Sequence, residues 1–371
     1  MNRRKFLTLT GGSIVIAGAS YYALSDRSNI VRADLRPDTK TTVPLLPHER
    51  EIIYLASLAP SGHNTQPWFI KHLKPFHWIV CNDKSKWLPA VDPMQRETIL
   101  SIGAFIQNLE YAADSLGYRC QFSLMASTNQ DEKVMDIKLT RAGTSFSYNT
   151  ENIKQRRTVR SNMLTKGLKK EDVKLLIANE PDFIHFIPPK TKSYDYLNQQ
   201  TIAANKIQSF RDPAQKELAD WIRFSNQDAE KYRDGLTPGS MEINGLSGWV
   251  VRNFYDKSDV MSKNFRDKNI DQVERQVAAS GGWFIITSVD SSVSTLIETG
   301  RRMQRLFLKV RDKYIAIHPM TQILEEPSIH QSLNASIGIH EPVQFILRTG
   351  YVHDYPEPVS LRRPVDWLIR I

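Results

Sequence analysis

Apolar residues recur at helical spacing at Ile52, Leu55, Ala56 and Ala59, and the run halts at Pro60. Pro47 suits the first turn of that helix, where its missing N–H has no partner to lose. A second stripe, Ile99, Ile102, Ile106, Leu109, Ala113 and Leu116, follows Asp92-Pro93 and ends at Gly117, which predicts a long helix with a buried face. A third, carrying Leu296, Met303, Leu306, Phe307 and Val310, predicts a helix over about 294–313. Short apolar runs beginning at Trp68, at Trp78 and at Cys120, and another over 342–348, read as strands, the last leading into a turn at Thr349-Gly350-Tyr351. This mixture predicts an α+β fold.

The two long helical stripes echo one another. Gly103, Gln107 and Leu109 reappear as Gly300, Gln304 and Leu306, each 197 positions later, a period of about one domain. The 371 residues therefore divide into halves, 45–150 and 151–371, a tandem duplication of mixed sheets packed with long helices. Positions 221–248, with Gly235, Gly239 and Gly245, exceed what a connection needs and suit a lid. Residues 29–44 are polar and aperiodic, which suits a linker.

The formal charge is +9, part of it at Arg3, Arg4 and Lys5, ahead of a weakly apolar stretch from Phe6 to Ala19. Residues 1–28 resemble a twin-arginine export signal, either cut near Ala17-Gly18-Ala19 or kept as a membrane anchor facing the periplasm. Elsewhere the basicity is diffuse, without nucleic-acid-binding motifs, so no nucleic acid is expected as a partner. The histidines show no ligand-pair spacing and no metal is expected. Cys81 and Cys120 lie in strand-like runs, as two thiols or as a bridge.

The most specific stretch is Ala59-Pro60-Ser61-Gly62-His63-Asn64-Thr65-Gln66-Pro67-Trp68. Pro60 ends a helix, Ser61 and Asn64 offer short polar side chains, and Gly62 lets backbone approach a flat ring. The decapeptide resembles the flavin-contacting loop of the nitroreductase family. The second half opens Arg156-Arg157-Thr158-Val159-Arg160, which is similar to the family's phosphate-binding Arg-x-Ser-x-Arg/Lys segment. Ser360-Leu361-Arg362-Arg363-Pro364 resembles its closing basic segment. The first half lacks the clamp and the second lacks the loop, hereafter the lip.

The split resembles the Acg-like branch of that superfamily, single chains that mimic the family's dimer. It implies one FMN per chain, held by Pro60, Ser61, Gly62, His63, Asn64 and Gln66 of the lip, by Arg156, Thr158 and Arg160, and by Arg362 and Arg363. Met320, Thr321 and Gln322 stand where the family places a loop beside flavin N5, with Thr321 and Gln322 the nearest candidates. His63 either reaches a substrate or bonds the loop's own backbone. Arg301, Arg302 and Arg305 on the second long helix read as a solvated face.

The implied activity is that of a flavin-dependent oxidoreductase in a monomeric pseudo-dimer, with no protein nucleophile. Its acceptor would be a small molecule such as a nitroaromatic, a quinone or a conjugated carbonyl. Its donor outside the cytoplasm would be a membrane quinol or a redox protein. The alternative is an FMN-sequestering or storage protein whose lid covers the flavin. A flavin-free scaffold remains a third reading, in which the clamp arginines are surface charge.

Overall fold

The computed structural model describes residues 25–35, 45–142 and 148–370. The export-signal motif and much of the expected linker lie outside them. Helix α1 (Pro47–Ser57) carries Pro47 in its first turn, and the Glu49 carboxylate accepts the Leu46 N–H at 2.9 Å. Strands β1 (Trp68–Lys74), β2 (His77–Asn82), β3 (Tyr118–Leu124) and β4 (Lys133–Arg141) form one antiparallel sheet in the order β3-β4-β2-β1. The long helix α2 (Arg96–Ser115) connects β2 to β3.

The second half repeats this plan. Strands β5 (Ile184–Ile187), β6 (Gly282–Thr287), β7 (Ile315–Pro319) and β8 (Val343–Tyr351) run in the order β7-β8-β6-β5, with every neighbour antiparallel. Its long helix, Val293–Lys309, connects β6 to β7 as α2 connects β2 to β3. A final strand β9 (Ile369–Arg370) leaves this half and pairs in parallel with β1, so the chain's end completes the first sheet. Gly350 and Tyr351, expected in a turn, continue β8 because their backbone pairs with Ala316 and Ile315.

The two long helices form the most extensive interhelical contact. A Cβ on Gly103 would lie 2.2 Å from the Ile297 carbonyl oxygen, and one on Gly300 would lie 2.0 Å from that of Leu100. Each glycine thus sits against the carbonyl three residues before the other, a reciprocal contact of the kind a two-fold axis produces. Polar groups flank it: the Gln304 amide donates to Asn108 Oδ1 at 2.7 Å, and the Arg301 and Arg305 guanidiniums both reach Gln107 Oε1. The expectation of a solvated arginine face fails here. Arg302 is buried over Phe183 and pairs with Glu180 at 2.8 Å, and Arg301 pairs with Glu110 at 2.6 Å. Helix α2 covers Arg301 and Arg305, and the stretch carrying Glu180 and Phe183 covers Arg302, which takes that face out of water. One core of buried side chains, including Ile53, Trp68, Phe105, Phe284, Leu306 and Phe307, spans both halves.

The halves differ most between β5 and β6. Where β1 turns directly into β2, positions 188–281 carry an insertion of helices over a second core containing Leu197, Val277, Trp283 and Ile346. The expected lid, 221–248, lies within it as folded structure, including the helix Asn226–Tyr232 and the start of α3 (Gly245–Phe254; the long helix Val293–Lys309 is α4). Residues 25–35, the last of the expected signal and the first of the expected linker, are bonded along the insertion, Asn29 to the Ile243 carbonyl and Asn244 among them. Asn226 N–H donates to Asp26 at 2.8 Å, and the Arg252 guanidinium donates to the Asp26 and Arg27 carbonyls. Cys81 is buried, Cys120 is half-buried, and both are free thiols.

Replacing Gly300 with Ala forces a methyl into a backbone oxygen that cannot rotate away. It is expected to destabilise the fold by about 3 kcal/mol, the upper end of the overpacking range, read as a lowered denaturation midpoint in urea.

Candidate active site

The lip hangs from the C-terminal end of α1 in an uncommon conformation. His63, Asn64 and Gln66 all adopt left-handed backbone, with φ of 45°, 55° and 55°. Ser61 holds the loop by accepting the Gln66 N–H on its hydroxyl at 2.9 Å. A Cβ on Gly62 would come within 3.1 Å of the Glu97 carboxyl and of Leu88, so the lip lies tightly against α2.

Asn64 and Gln66, expected at the flavin ring, spend their amides on joining the lip to the rest of the molecule. Asn64 Nδ2 donates to the carbonyls of Gly235 (3.1 Å) and Leu361 (3.2 Å). Gln66 donates to the Arg233 carbonyl at 2.9 Å and accepts the Arg363 N–H at 2.9 Å. Arg362 departs from the expected phosphate contact for the same reason. Its five donors meet oxygens of Ser57, Leu58, Ala59, Asn64 and Leu361. Arg363 donates to the carbonyls of Gln66 and Trp68, with Asp83 3.8 Å away. Both arginines fasten the chain's end to the lip.

The clamp from the second half does arrive at this lip. Arg156 lies over the Phe307 ring at 5.2 Å and donates to the Leu58 carbonyl at 3.4 Å, while its Nε and second terminal nitrogen are buried without a partner. Burial pushes this guanidinium down to about 10. Arg160 is bonded through its guanidinium to the Ser240 carbonyl at 3.0 Å and through its N–H to Glu242 at 2.9 Å. Thr158 stands half-buried between them. A buried guanidinium with unmet donors is costly unless an anion meets it.

His63 lies beside Arg160. Burial first, and then that charge, push its imidazole down to about 4, so it is neutral at neutral pH. Its Nδ1 is buried without a partner, which replaces the expectation of a histidine bonded to its own loop. At the end of β7, His318 is likewise driven well down by burial and by Arg348 and Arg160. The next residues are partly committed. The Met320 N–H bonds the Ile346 carbonyl at 2.9 Å and the Thr321 hydroxyl bonds Glu325 at 3.1 Å, but the buried Gln322 Oε1 has no partner.

Two carboxyls escaped the sequence reading. Glu97 is pushed up to about 8 by burial, then by Glu325 and Asp92, and Glu325 is raised mainly by burial. Glu97 lies against Gly62 and Glu325 bonds the Thr321 hydroxyl, so the two acids face one another across the halves. In sequence Glu97 is an ordinary first-turn acid, and only the fold brings Glu325 to it.

No protein-family model matches the chain. It is similar to the acg protein of Mycobacterium tuberculosis, named as a candidate NAD(P)H nitroreductase, at 22% identity over 90% of this chain and 98% of that one. It is also similar to PigM of a Serratia species, likewise named, at 20% identity over 80% of this chain and 86% of that one. Among solved structures, a candidate nitroreductase from Anabaena variabilis aligns over 95% of this chain and 92% of its own, with 11% identity and a TM-score of 0.40. The FMN-dependent nitroreductase NfnB of Mycobacterium smegmatis aligns over 60% of this chain and 96% of its own, with 12% identity and a TM-score of 0.36. The similarity to these two relatives, each named as a nitroreductase, thus extends along most of the sequence.

Proposed function

We propose that the chain is an FMN-binding oxidoreductase of nitroreductase type, which reduces a small acceptor such as a nitroaromatic, a quinone or a conjugated carbonyl. The observation that carries this reading is the buried Arg156, with two donor nitrogens unmet, beside a lip that resembles a flavin-contacting loop. The names of the acg and PigM relatives agree with it.

Arg156 and Arg160 would hold the phosphate as charged donors, and Ser61, Gly62 and His63 would border the ring. FMN, when bound, supplies the redox chemistry. The chain's own residues orient and enclose. Arg362 and Arg363 keep the lip rigid, the insertion covers it from the side of Gly235, and neutral His63 and His318 add no charge to a region already rich in guanidinium. The reciprocal glycine crossing and the matching strand orders support an intramolecular pseudo-dimer with one such site per chain. The paired arginines at the front support export by the twin-arginine route, with a membrane quinol or a redox protein as donor.

One observation favours the alternative of FMN sequestration. The Asn64 carbonyl accepts the Gly235 N–H at 3.1 Å while its side chain donates back to the Gly235 carbonyl, so the insertion is seated on the lip. Chemical reduction of the bound flavin followed by addition of menadione or nitrofurazone separates the readings. Turnover is expected for the enzyme, and failure of every acceptor with flavin retained identifies the store.

Arg156→Ala should weaken FMN binding roughly 10- to 100-fold, since a hydrogen bond to a charged group contributes about 1.5–3 kcal/mol, while leaving the thermal midpoint unchanged or higher. Flavin content unaltered in this variant sinks the clamp. Arg362→Ala should instead lower the thermal midpoint of the flavin-free protein, because the α1 end and lip carbonyls lose their donors.

A further inference from the structure

The clamp is more crowded with positive charge than its sequence motif accounts for. Arg32, from residues 25–35, donates to the Lys154 carbonyl at 2.5 Å, two residues before Arg156. Arg156 and Arg362 both reach the Leu58 carbonyl. The three guanidiniums are close enough that Arg32 and Arg156 each disfavour the charge on Arg362, and Arg32 disfavours that on Arg156. Arg32 is itself lowered, chiefly by burial. Among the described residues none of the three has a carboxylate ion pair, although like charges this near repel unless an anion lies among them. Arg362 is fully used by carbonyls and Arg156 is not, which leaves the Arg156 side of the cluster as the place for that anion.

Arg32 is not there by drift. Asn29 donates to the Ile243 carbonyl at 3.3 Å and to Asn244 at 2.9 Å, and its side chain lies where a Cβ on Gly239 would meet it at 3.1 Å. The Ile30 N–H donates to Asn226 at 3.3 Å, and the Asn226 amide donates back to the Ser28 carbonyl at 2.9 Å. The segment therefore crosses the insertion as a strap and delivers Arg32 to the clamp.

We propose that Arg32 is a third guanidinium of the phosphate site, contributed from outside both repeated halves by the strap. The ligand group it takes is a phosphomonoester dianion. This rests on the FMN reading of the same site.

The test is titration of the flavin-free full chain with FMN and with riboflavin, which shares the ring and ribityl chain but lacks the phosphate. Arg32→Gln should weaken FMN roughly 10- to 100-fold and leave riboflavin unchanged, and Arg32→Lys should restore part of the loss by returning the charge. Equal loss for both ligands would mean that Arg32 only props the fold, and loss for neither would mean that it does not face the phosphate; either result overturns the proposal. If the wild-type chain binds neither flavin, the FMN reading itself fails. Inorganic phosphate then becomes the probe: weaker phosphate binding by Arg32→Gln upholds the anion site, and equal binding rejects it.

Discussion

The contact on which this molecule depends is the crossing of α2 and α4 at Gly103 and Gly300. The two backbones meet with no side chain between them, and each glycine faces the carbonyl three residues before the other. That closeness sets the distance between the two sheets and lets one core run from Trp68 and Phe105 through Phe307 to Phe284. It also decides what else can meet. The lip hangs from α1, which packs on α2, and Arg156 stacks on Phe307 of α4, so moving the helices apart would part lip from clamp.

From that constraint the asymmetry of the halves follows. Each has the same four-strand order, yet the lip stands only in the first and the Arg156–Arg160 segment only in the second. A symmetric pair would build two equivalent junctions; this chain furnishes one with both parts and places its insertion there. The final strand β9 closes the arrangement, since pairing with β1 brings Arg362 and Arg363 beneath the lip.

Much of this was legible because it depends on local chemistry and periodicity. Pro60 ends α1, the stripe from Ile99 to Leu116 fills α2, and the Gly-Gln-Leu echo marks the two helices that cross. What was not legible depends on which acceptors the fold brings near. Arg156 and Arg362 look alike in sequence, but five oxygens surround one and a single carbonyl reaches the other. Residues 29–35 read as a linker because side-chain-to-backbone bonds, rather than a periodic apolar face, hold them in place. Arg301, Arg302 and Arg305 read as surface because the partners that bury them, Gln107, Glu110 and Glu180, lie far off in sequence.

The lip is both the expected contact for a flavin ring and the seat of the insertion, and this couples access to stability. Three hydrogen bonds join the two: Gly235 N–H to the Asn64 carbonyl, Asn64 Nδ2 to the Gly235 carbonyl, and Gln66 Nε2 to the Arg233 carbonyl. At a net contribution of roughly 1 kcal/mol each, they join lip and insertion by about 3 kcal/mol, and the Lys86–Asp234 pair at 2.7 Å strengthens the same seam. The strap bonds the same insertion through Asp26 and Asn29 and reaches the second half's opening segment through Arg32. Lip, insertion and strap are therefore one connected set of backbone and side-chain bonds, so a change that loosens any one of them disturbs the other two.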